Sequence, residues 1–118
     1  MLVDDITSIR SYLRLMLKNE PDVEVIAEAE NGQIAIEFLN QHKPLPDIII
    51  MDVNMPIMGG IESTQHITSI FPDIKVIAYT SLDDDDTIRN MSKAGASGYL
   101  IKECSCKEIM SVIQTAIQ

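Results

Sequence analysis

A chain of 118 residues, 46% hydrophobic and 23% charged, has the composition of one folded domain with its own core, which excludes a disordered protein. Eighteen acidic residues against nine basic ones give a net charge of −9, which excludes direct binding to nucleic acid or to an anionic membrane, because no basic patch interrupts the acidic charge. Cys104 and Cys106 are too close to cross-link the fold, no signal peptide precedes them and no apolar run could span a bilayer, so we expect a cytoplasmic protein.

Short apolar runs alternate along the chain with stretches of helical periodicity, and this alternation predicts βαβ units around a parallel sheet. The first run, Met1–Val3, predicts an unusually short strand, and the helix after it ends near Asn19. In Val23–Ala29, valines and alanines alternate with glutamates, a period of two that predicts an edge strand with one partly wet face. Asn31 begins the second helix, and Pro44 lies beyond its end.

The second half of the chain continues the same alternation. The unbroken apolar run Ile48–Met51 predicts a central strand with helices on both faces. After it the sequence predicts, in order, a third helix following Gly59-Gly60, a fourth strand at Lys75–Tyr79, a fourth helix beginning in the acidic run Asp83–Asp86, a fifth strand at Tyr99–Ile101, and a last helix with the capping-box pair Ser105 and Glu108. We therefore expect five strands and five helices in one α/β domain, residues 1–118.

Chemically active side chains follow the predicted strands. Asp4 and Asp5 end the first strand, Asp52 the third, Thr80 the fourth and Lys102 the fifth. Because right-handed crossovers bring the carboxyl ends of parallel strands to one edge of the sheet, we expect these side chains to converge. Three carboxylates that close to one another repel, so either one takes up a proton or a divalent cation joins them, and an all-oxygen ligand set favours magnesium. A carboxylate there, Asp52 by its position, could attack a phosphoryl group.

In these motifs and in their order, the chain resembles the receiver domain of two-component response regulators, over essentially all its length. No single motif is specific, but their succession is. The matching segments are Val3-Asp4-Asp5, Met51-Asp52-Val53-Asn54-Met55-Pro56, Gly59-Gly60, Ala78-Tyr79-Thr80-Ser81, Ala94-Gly95-Ala96 and Gly98-Tyr99-Leu100-Ile101-Lys102.

The resemblance implies a flavodoxin-like sheet of order 2-1-3-4-5 and a phosphoacceptor switch rather than a conventional enzyme. Asp52 would accept a phosphoryl group from a histidine kinase or a phosphotransfer protein, and Thr80 and Lys102 would hold its oxygens. Mg²⁺ would be bound by the Asp5 and Asp52 side chains, by the Asn54 backbone carbonyl and, through water, by Asp4. Thr80 and Tyr99 would then switch the output surface.

Two features depart from the family pattern. The first strand is short, so we expect either lowered stability or pairing with another chain, and a homodimer is left open. Glu103 follows Lys102 where many relatives have a proline, so we expect no cis bond there. Relatives with DNA-binding output domains often lack this proline too, which suggests that an output domain of a longer transcription regulator lies outside this sequence.

Each residue also has an ordinary interpretation. Taken singly, Asp4 and Asp5 would be helix caps, Asp52 a loop acid, Thr80 a residue that favours strands, and Lys102 a surface charge. Their common position at strand ends favours function. Two other functions are weighed against the phosphoacceptor: a receiver-like interaction domain that is never phosphorylated, and a flavin-binding module of the same fold, which Asp4 and Asp5 disfavour because they would repel the flavin phosphate.

Overall fold

The computed structural model describes residues 1–81 and 85–118, and in them five parallel strands alternate with five helices. The strands are β1 (Leu2–Val3), β2 (Glu28–Ala29), β3 (Ile48–Asp52), β4 (Lys75–Thr80) and β5 (Gly98–Ile101). The helices are α1 (Thr7–Lys18), α2 (Gly32–Gln41), α3 (Gly60–Ile70), α4 (Asp85–Ala94) and α5 (Cys106–Ile117). The sheet order β2-β1-β3-β4-β5 confirms the predicted doubly wound α/β class and the short first strand.

Helices cover both faces of the sheet. Side chains along each strand point alternately to opposite faces, so each strand contributes to the packing on both. In β3, Ile49 and Met51 belong to one apolar cluster, which also contains buried residues of α2, α3 and α4. Ile50 belongs to a second cluster, on the side of α1 and α5. Burial on both faces explains why this strand is an unbroken apolar run.

The helix ends follow the predicted signals where side chains supply them. Asn31 caps α2, because its side chain accepts a hydrogen bond of 2.9 Å from the Ile34 amide. Ser105 and Glu108 form the predicted capping box at the start of α5. The predicted start of the fourth helix falls partly on residues 83 and 84, which lie outside the described residues. Among residues 1–81 and 85–118, no helix combines the length and apolarity that a bilayer crossing needs.

The second strand is shorter than its pattern predicts. The segment 23–29 keeps the alternation of half-buried and exposed side chains, yet only Glu28 and Ala29 are paired as a strand. The reason lies in β1, whose two residues pair with Glu28 and Ala29 and leave no strand beside the residues before them. A period of two therefore reports which side chains face the core, whereas strand formation also needs a neighbouring backbone.

The N-terminus is built into the sheet. Met1 is buried, and its amine donates a hydrogen bond of 2.9 Å to the Ile48 carbonyl. Burial lowers the pKa of this amine from 8.0 to about 6, although the charge of Asp47 opposes the shift. The folded protein therefore holds this proton less tightly than the unfolded chain does.

We expect the free energy of unfolding to rise between pH 6 and pH 8, by up to about 3 kcal/mol, because over this interval the unfolded chain binds a proton that the folded chain has released. Urea denaturation at a series of pH values would measure the change. The N-terminally acetylated protein is the control, since it carries no titrating amine. An equal pH dependence in both forms would contradict the assignment to Met1.

Candidate functional site

Four strands deliver the predicted site residues to the same edge of the sheet. Asp4 and Asp5 follow β1, Asp52 is the last residue of β3, Thr80 is the last of β4, and Lys102 follows β5. Their convergence follows from the parallel register, in which Val3 lies beside Met51 and Asp52 beside Tyr79. The predicted meeting of these residues is therefore a property of the topology.

Three carboxylates form the centre of the site. One oxygen from each of Asp4, Asp5 and Asp52 lies within 4.8 Å of the other two. Asp4 and Asp52 are buried, with 1% and 5% of their surface exposed, whereas Asp5 is exposed. Burial of two like charges raises their electrostatic energy, so the cluster needs positive charge.

Lys102 supplies positive charge to this cluster. Its ammonium nitrogen lies 3.0 Å from Oδ1 of Asp52 and 3.4 Å from Oδ2 of Asp4. Burial on its own lowers the pKa of Lys102, but the hydrogen bond to Asp52 and the charges of Asp52 and Asp4 outweigh burial, so the pKa lies above the ordinary 10.5. The lysine is therefore charged and fixed between two carboxylates.

The pKa of Asp52 is raised from its ordinary value of 3.8, and burial is the main cause. The hydrogen bond and charge of Lys102 act against this shift, the charge of Asp4 adds to it, and the Val53 amide, 2.9 Å from Oδ1, opposes it. The folded environment thus disfavours the charge on this carboxylate. A cation bound to it, or an electrophile bonded to it, would reduce this electrostatic cost.

A tight turn presents Lys102 to the carboxylates. Its amide donates to the Thr80 carbonyl at 2.7 Å, and the Cys104 amide donates to the Ile101 carbonyl at 3.2 Å. Glu103, inside this turn, has a φ of 73°, which is left-handed backbone. The Lys102–Glu103 bond is trans, as the sequence predicts. The turn therefore ties the lysine to the end of β4, where Thr80 lies.

Asp4 is held by the backbone that follows it. Its Oδ1 accepts a hydrogen bond of 2.9 Å from the Ile6 amide, but Ile6 is itself the N-cap of α1, and no side chain among the described residues caps this helix, so Asp4 forms a local turn and is not a helix cap. Its Oδ2 is buried and has no hydrogen-bond partner among the described residues, although the Lys102 ammonium is 3.4 Å away. A buried carboxylate oxygen without a hydrogen-bond donor has the capacity to accept a further donor or a cation.

Sequence reasoning missed Arg10, which supports the site from α1. Its guanidinium donates to the Asp4 carbonyl and also pairs with the Glu28 carboxylate at 3.1 Å. Nothing in the sequence links these three positions, because Arg10 lies on a helix and Glu28 on an edge strand. Only the crossover geometry brings them together.

The remaining predicted residues end β4, follow β3 or lie on β5. Thr80 is buried, with 7% of its surface exposed, and Asn54 lies exposed in the loop after β3. Tyr99 lies on β5 with 48% of its surface exposed, so its ring points away from the core.

The family model described as the response regulator receiver domain matches residues 1–114. The chain belongs to this family. As a receiver domain it is 34% identical over 118 residues to the transcriptional regulatory protein DegU of Brevibacillus brevis, and 38% identical over 116 residues to the transcriptional regulatory protein LiaR of Bacillus subtilis (strain 168). These alignments cover 100% and 98% of this chain but 49% and 54% of those proteins, so the chain spans about half the length of the curated relatives it matches.

Solved receiver structures have the same fold. A two-component response regulator of the LuxR family from Aurantimonas sp. SI85-9A1 superimposes with a TM-score of 0.89 at 31% identity, covering 99% of this chain and 82% of that one. The response regulator domain of Thermotoga maritima CheB superimposes with a TM-score of 0.87 at 28% identity, covering 98% and 92%. These similarities confirm the predicted receiver domain of a two-component system and favour it over the flavin-binding and non-phosphorylated alternatives.

Proposed function

We propose that Asp52 is the phosphoacceptor of this receiver domain, that it takes a phosphoryl group from a phosphohistidine in a magnesium-dependent step, and that the modification switches a distant surface. The observation that carries the proposal is the contact of one ammonium, that of Lys102, with both buried carboxylates, Asp52 and Asp4. Burying two carboxylates and an ammonium costs desolvation free energy, and this cost favours a role for the three charges in a reaction.

The chemistry assigned to Asp52 is a displacement at phosphorus. A carboxylate oxygen forms a bond to the phosphorus while the bond from phosphorus to the histidine nitrogen breaks, and the electron pair of that bond returns to the imidazole. Lys102, already 3.0 Å from the attacking carboxylate, neutralises charge on the transferred group. Thr80 supplies a hydroxyl at the end of β4 for one of the phosphoryl oxygens. In this role the domain assists its own modification and is a switch more than an enzyme.

The donor set fits a magnesium ion. The unsatisfied Oδ2 of Asp4 and the three carboxylate oxygens within 4.8 Å of one another offer hard oxygen ligands, and in the part of the chain that the structure describes no Cys or His belongs to this group. Asp5 and Asp52 would hold the ion through their side chains, Asn54 through its backbone carbonyl and Asp4 through water. When bound, magnesium would neutralise the phosphoryl oxygens.

Thr80 and Tyr99 are proposed as the switch residues. The dianionic acyl phosphate on Asp52 attracts the Thr80 hydroxyl more strongly than the carboxylate does, which biases one of two conformations. Tyr99, half exposed on the adjacent strand, has an apolar ring that gains burial by turning inward when the Thr80 side chain moves. The partner-binding surface around α4, β5 and α5 then changes shape.

Residues 1–118 are proposed to act as a single receiver domain of a cytoplasmic transcription regulator. Its relatives are about twice as long and are named transcriptional regulatory proteins, which supports an output domain outside this sequence. The partner that delivers the phosphoryl group would be a histidine kinase or a phosphotransfer protein. With a net charge of −9, the receiver itself would bind neither nucleic acid nor an anionic membrane directly. The receiver could also form a homodimer.

We expect the wild-type protein to gain the mass of one phosphoryl group after incubation with a small phosphodonor and Mg²⁺, and the Asp52→Ala variant to gain none. Intact-mass spectrometry measures both. Asp47→Ala is the matched control, because Asp47 is an exposed acid at the opposite edge of the sheet, and this variant should be modified like the wild type. A wild type that stays unmodified would refute the proposal.

We also expect Mg²⁺ at about ten times its dissociation constant to stabilise the protein by about 1.4 kcal/mol, a rise in Tm of several degrees, because the ion binds only the folded acidic cluster. Thermal denaturation with and without the ion measures the shift. Asp5→Asn should reduce the shift, whereas Asp73→Asn, on an exposed loop, should not. A wild-type Tm indifferent to millimolar Mg²⁺ would contradict an assembled site.

A further inference from the structure

Tyr79, the residue before Thr80 on β4, is a buried aromatic side chain beside the acidic cluster. Only 2% of its surface is exposed, and it belongs to the apolar cluster on the α1 and α5 side of the sheet. In the sheet it pairs with Asp52 of β3 on one side and with Leu100 of β5 on the other. Paired residues of neighbouring strands point to the same face of a sheet, so the tyrosine ring and the Asp52 carboxylate lie side by side.

The lysine of the site lies over this ring. The Lys102 ammonium nitrogen is 5.6 Å from the centroid of the Tyr79 ring, within the distance at which the face of an aromatic ring attracts a cation. The same nitrogen lies 3.0 Å from the Asp52 carboxylate and 3.4 Å from that of Asp4. The surroundings of the ammonium therefore include an aromatic ring as well as two carboxylates.

The tyrosine interacts with the lysine through the face of its ring and not through a negative charge. Burial raises the pKa of Tyr79 to about 12, and the charge of Cys104 adds to this shift, whereas a backbone hydrogen bond from Glu103 opposes it. The phenol is neutral at physiological pH, so it offers the Lys102 ammonium no anionic oxygen that would compete with the carboxylates.

The lysine side chain needs such a neighbour because its backbone alone does not fix its ammonium. The Lys102 amide is tied to the Thr80 carbonyl at 2.7 Å, but a flexible four-carbon chain separates this amide from the charge. With 17% of the side chain exposed, the ammonium regains hydration and rotamer entropy when it turns toward water. The attraction of the Tyr79 ring opposes this movement, and the buried ring leaves the ammonium fewer positions to occupy.

We propose that Tyr79 is a positioning residue for phosphoryl transfer to Asp52, because its ring holds the Lys102 ammonium beside the attacking carboxylate. This inference rests on the proposed function and deepens it. The ring acts only through the lysine, and an aliphatic side chain at this position would fill the core without attracting the ammonium.

Two substitutions separate the ring from the hydroxyl. Tyr79→Leu keeps an apolar side chain and removes the ring, whereas Tyr79→Phe removes only the hydroxyl. With phosphoramidate and Mg²⁺, we expect Tyr79→Leu to gain the phosphoryl group about fivefold more slowly than the wild type, the change that corresponds to a cation–π interaction of about 1 kcal/mol. Tyr79→Phe should stay within about twofold. Time courses of intact mass measure the rates, and equal losses in the two variants, or no loss in Tyr79→Leu, would overturn the proposal.

A double-mutant cycle distinguishes positioning of the lysine from damage to the core. If the ring acts through the lysine, Tyr79→Leu should cause no further loss of rate in the Lys102→Met background, and a further fivefold loss there would show that the proposal is wrong. Leu17→Ala is the matched structural control. Leu17 is buried in the same apolar cluster but near the far end of α1, so this variant should have a lower Tm and an unchanged rate.

Nuclear magnetic resonance locates the lysine without phosphorylation. Protons held over the face of an aromatic ring resonate upfield, so the ε-methylene protons of Lys102 should be shifted upfield in the wild type and in Tyr79→Phe, and should return to the ordinary lysine position in Tyr79→Leu. If Tyr79→Leu fails to fold, the wild-type resonance still tests the placement. A wild type that phosphoramidate never modifies would refute the role of Asp52, whereas a wild-type Lys102 resonance at the ordinary position would refute only the role of Tyr79.

Discussion

Gly60→Ala is expected to lower the free energy of unfolding by about 3 kcal/mol or more, because a methyl group at this position would clash with the backbone. Its Cβ would lie 2.2 Å from the Asp52 carbonyl oxygen and 2.8 Å from Cα of Val53. Both atoms belong to the backbone, so no side-chain rotation removes the clash. The start of α3 would have to move away, which breaks the 2.8 Å hydrogen bond from the Gly60 amide to the Val53 carbonyl.

The neighbouring glycine provides a matched control. At Gly59, which precedes α3 with a φ of −76°, the nearest atom to a new Cβ is the Val53 carbonyl oxygen at 3.4 Å. Gly59→Ala should therefore cost less than about 1 kcal/mol, mainly through the poorer N-cap. Urea denaturation of the two variants measures the difference. Equal losses would show that the contact with the Asp52–Val53 backbone is not the cause.

Lys102→Met is expected to lower the free energy of unfolding by about 2 kcal/mol in the absence of divalent cations, because it leaves Asp4 and Asp52 buried without a counter-charge. This value is below that of a fully buried pair, since water screens the 17% exposed lysine side chain. We expect Mg²⁺ to raise the Tm of this variant more than that of the wild type, because the ion then supplies all the positive charge. The rate of phosphoryl gain should fall by about 100-fold, the cost of losing one preorganised charge.

Lys107→Met, at an exposed position of α5, removes the same charge from the surface and should change stability by less than about 0.5 kcal/mol. Denaturation with and without Mg²⁺, together with the time course of intact mass, measures all three effects. If Lys102→Met and Lys107→Met lose the same stability, Lys102 does not neutralise the buried acids.

The sequence was sufficient for the topology and for the meeting of the three acids with Lys102. Alternating short strands and helices indicate a parallel sheet, and such a sheet brings Asp52 and Lys102 to one edge whatever the details of the loops. The pattern was wrong about the length of β2, because the period of two in 23–29 records burial and not the presence of a neighbouring strand. Pairing depends on β1, which is remote in the sequence.

The finer geometry of the site could not be predicted. The lysine contacts both Asp52 and Asp4. Glu103, directly after it, has left-handed backbone, a conformation that is uncommon for glutamate and that the residue type does not predict. The support of Asp4 by Arg10 depends on a crossover angle that no local pattern encodes. The sequence thus predicts which side chains end the strands, whereas the groups that contact those side chains, and so set their charge states, depend on tertiary packing.

Arg10 and Arg14 both reach from α1 to the Glu28 carboxylate on the two-residue edge strand. The outer margin of the sheet is therefore held by two ionic contacts in addition to its short backbone ladder. Ionic strength acts on such contacts directly, since the Debye length falls from about 10 Å at 0.1 M salt to about 3 Å at 1 M. Arg10 also donates to the Asp4 carbonyl. We therefore expect high salt, which weakens the contacts of Arg10 with β2, to affect the acidic cluster as well, although β2 lies two strands away from Asp52.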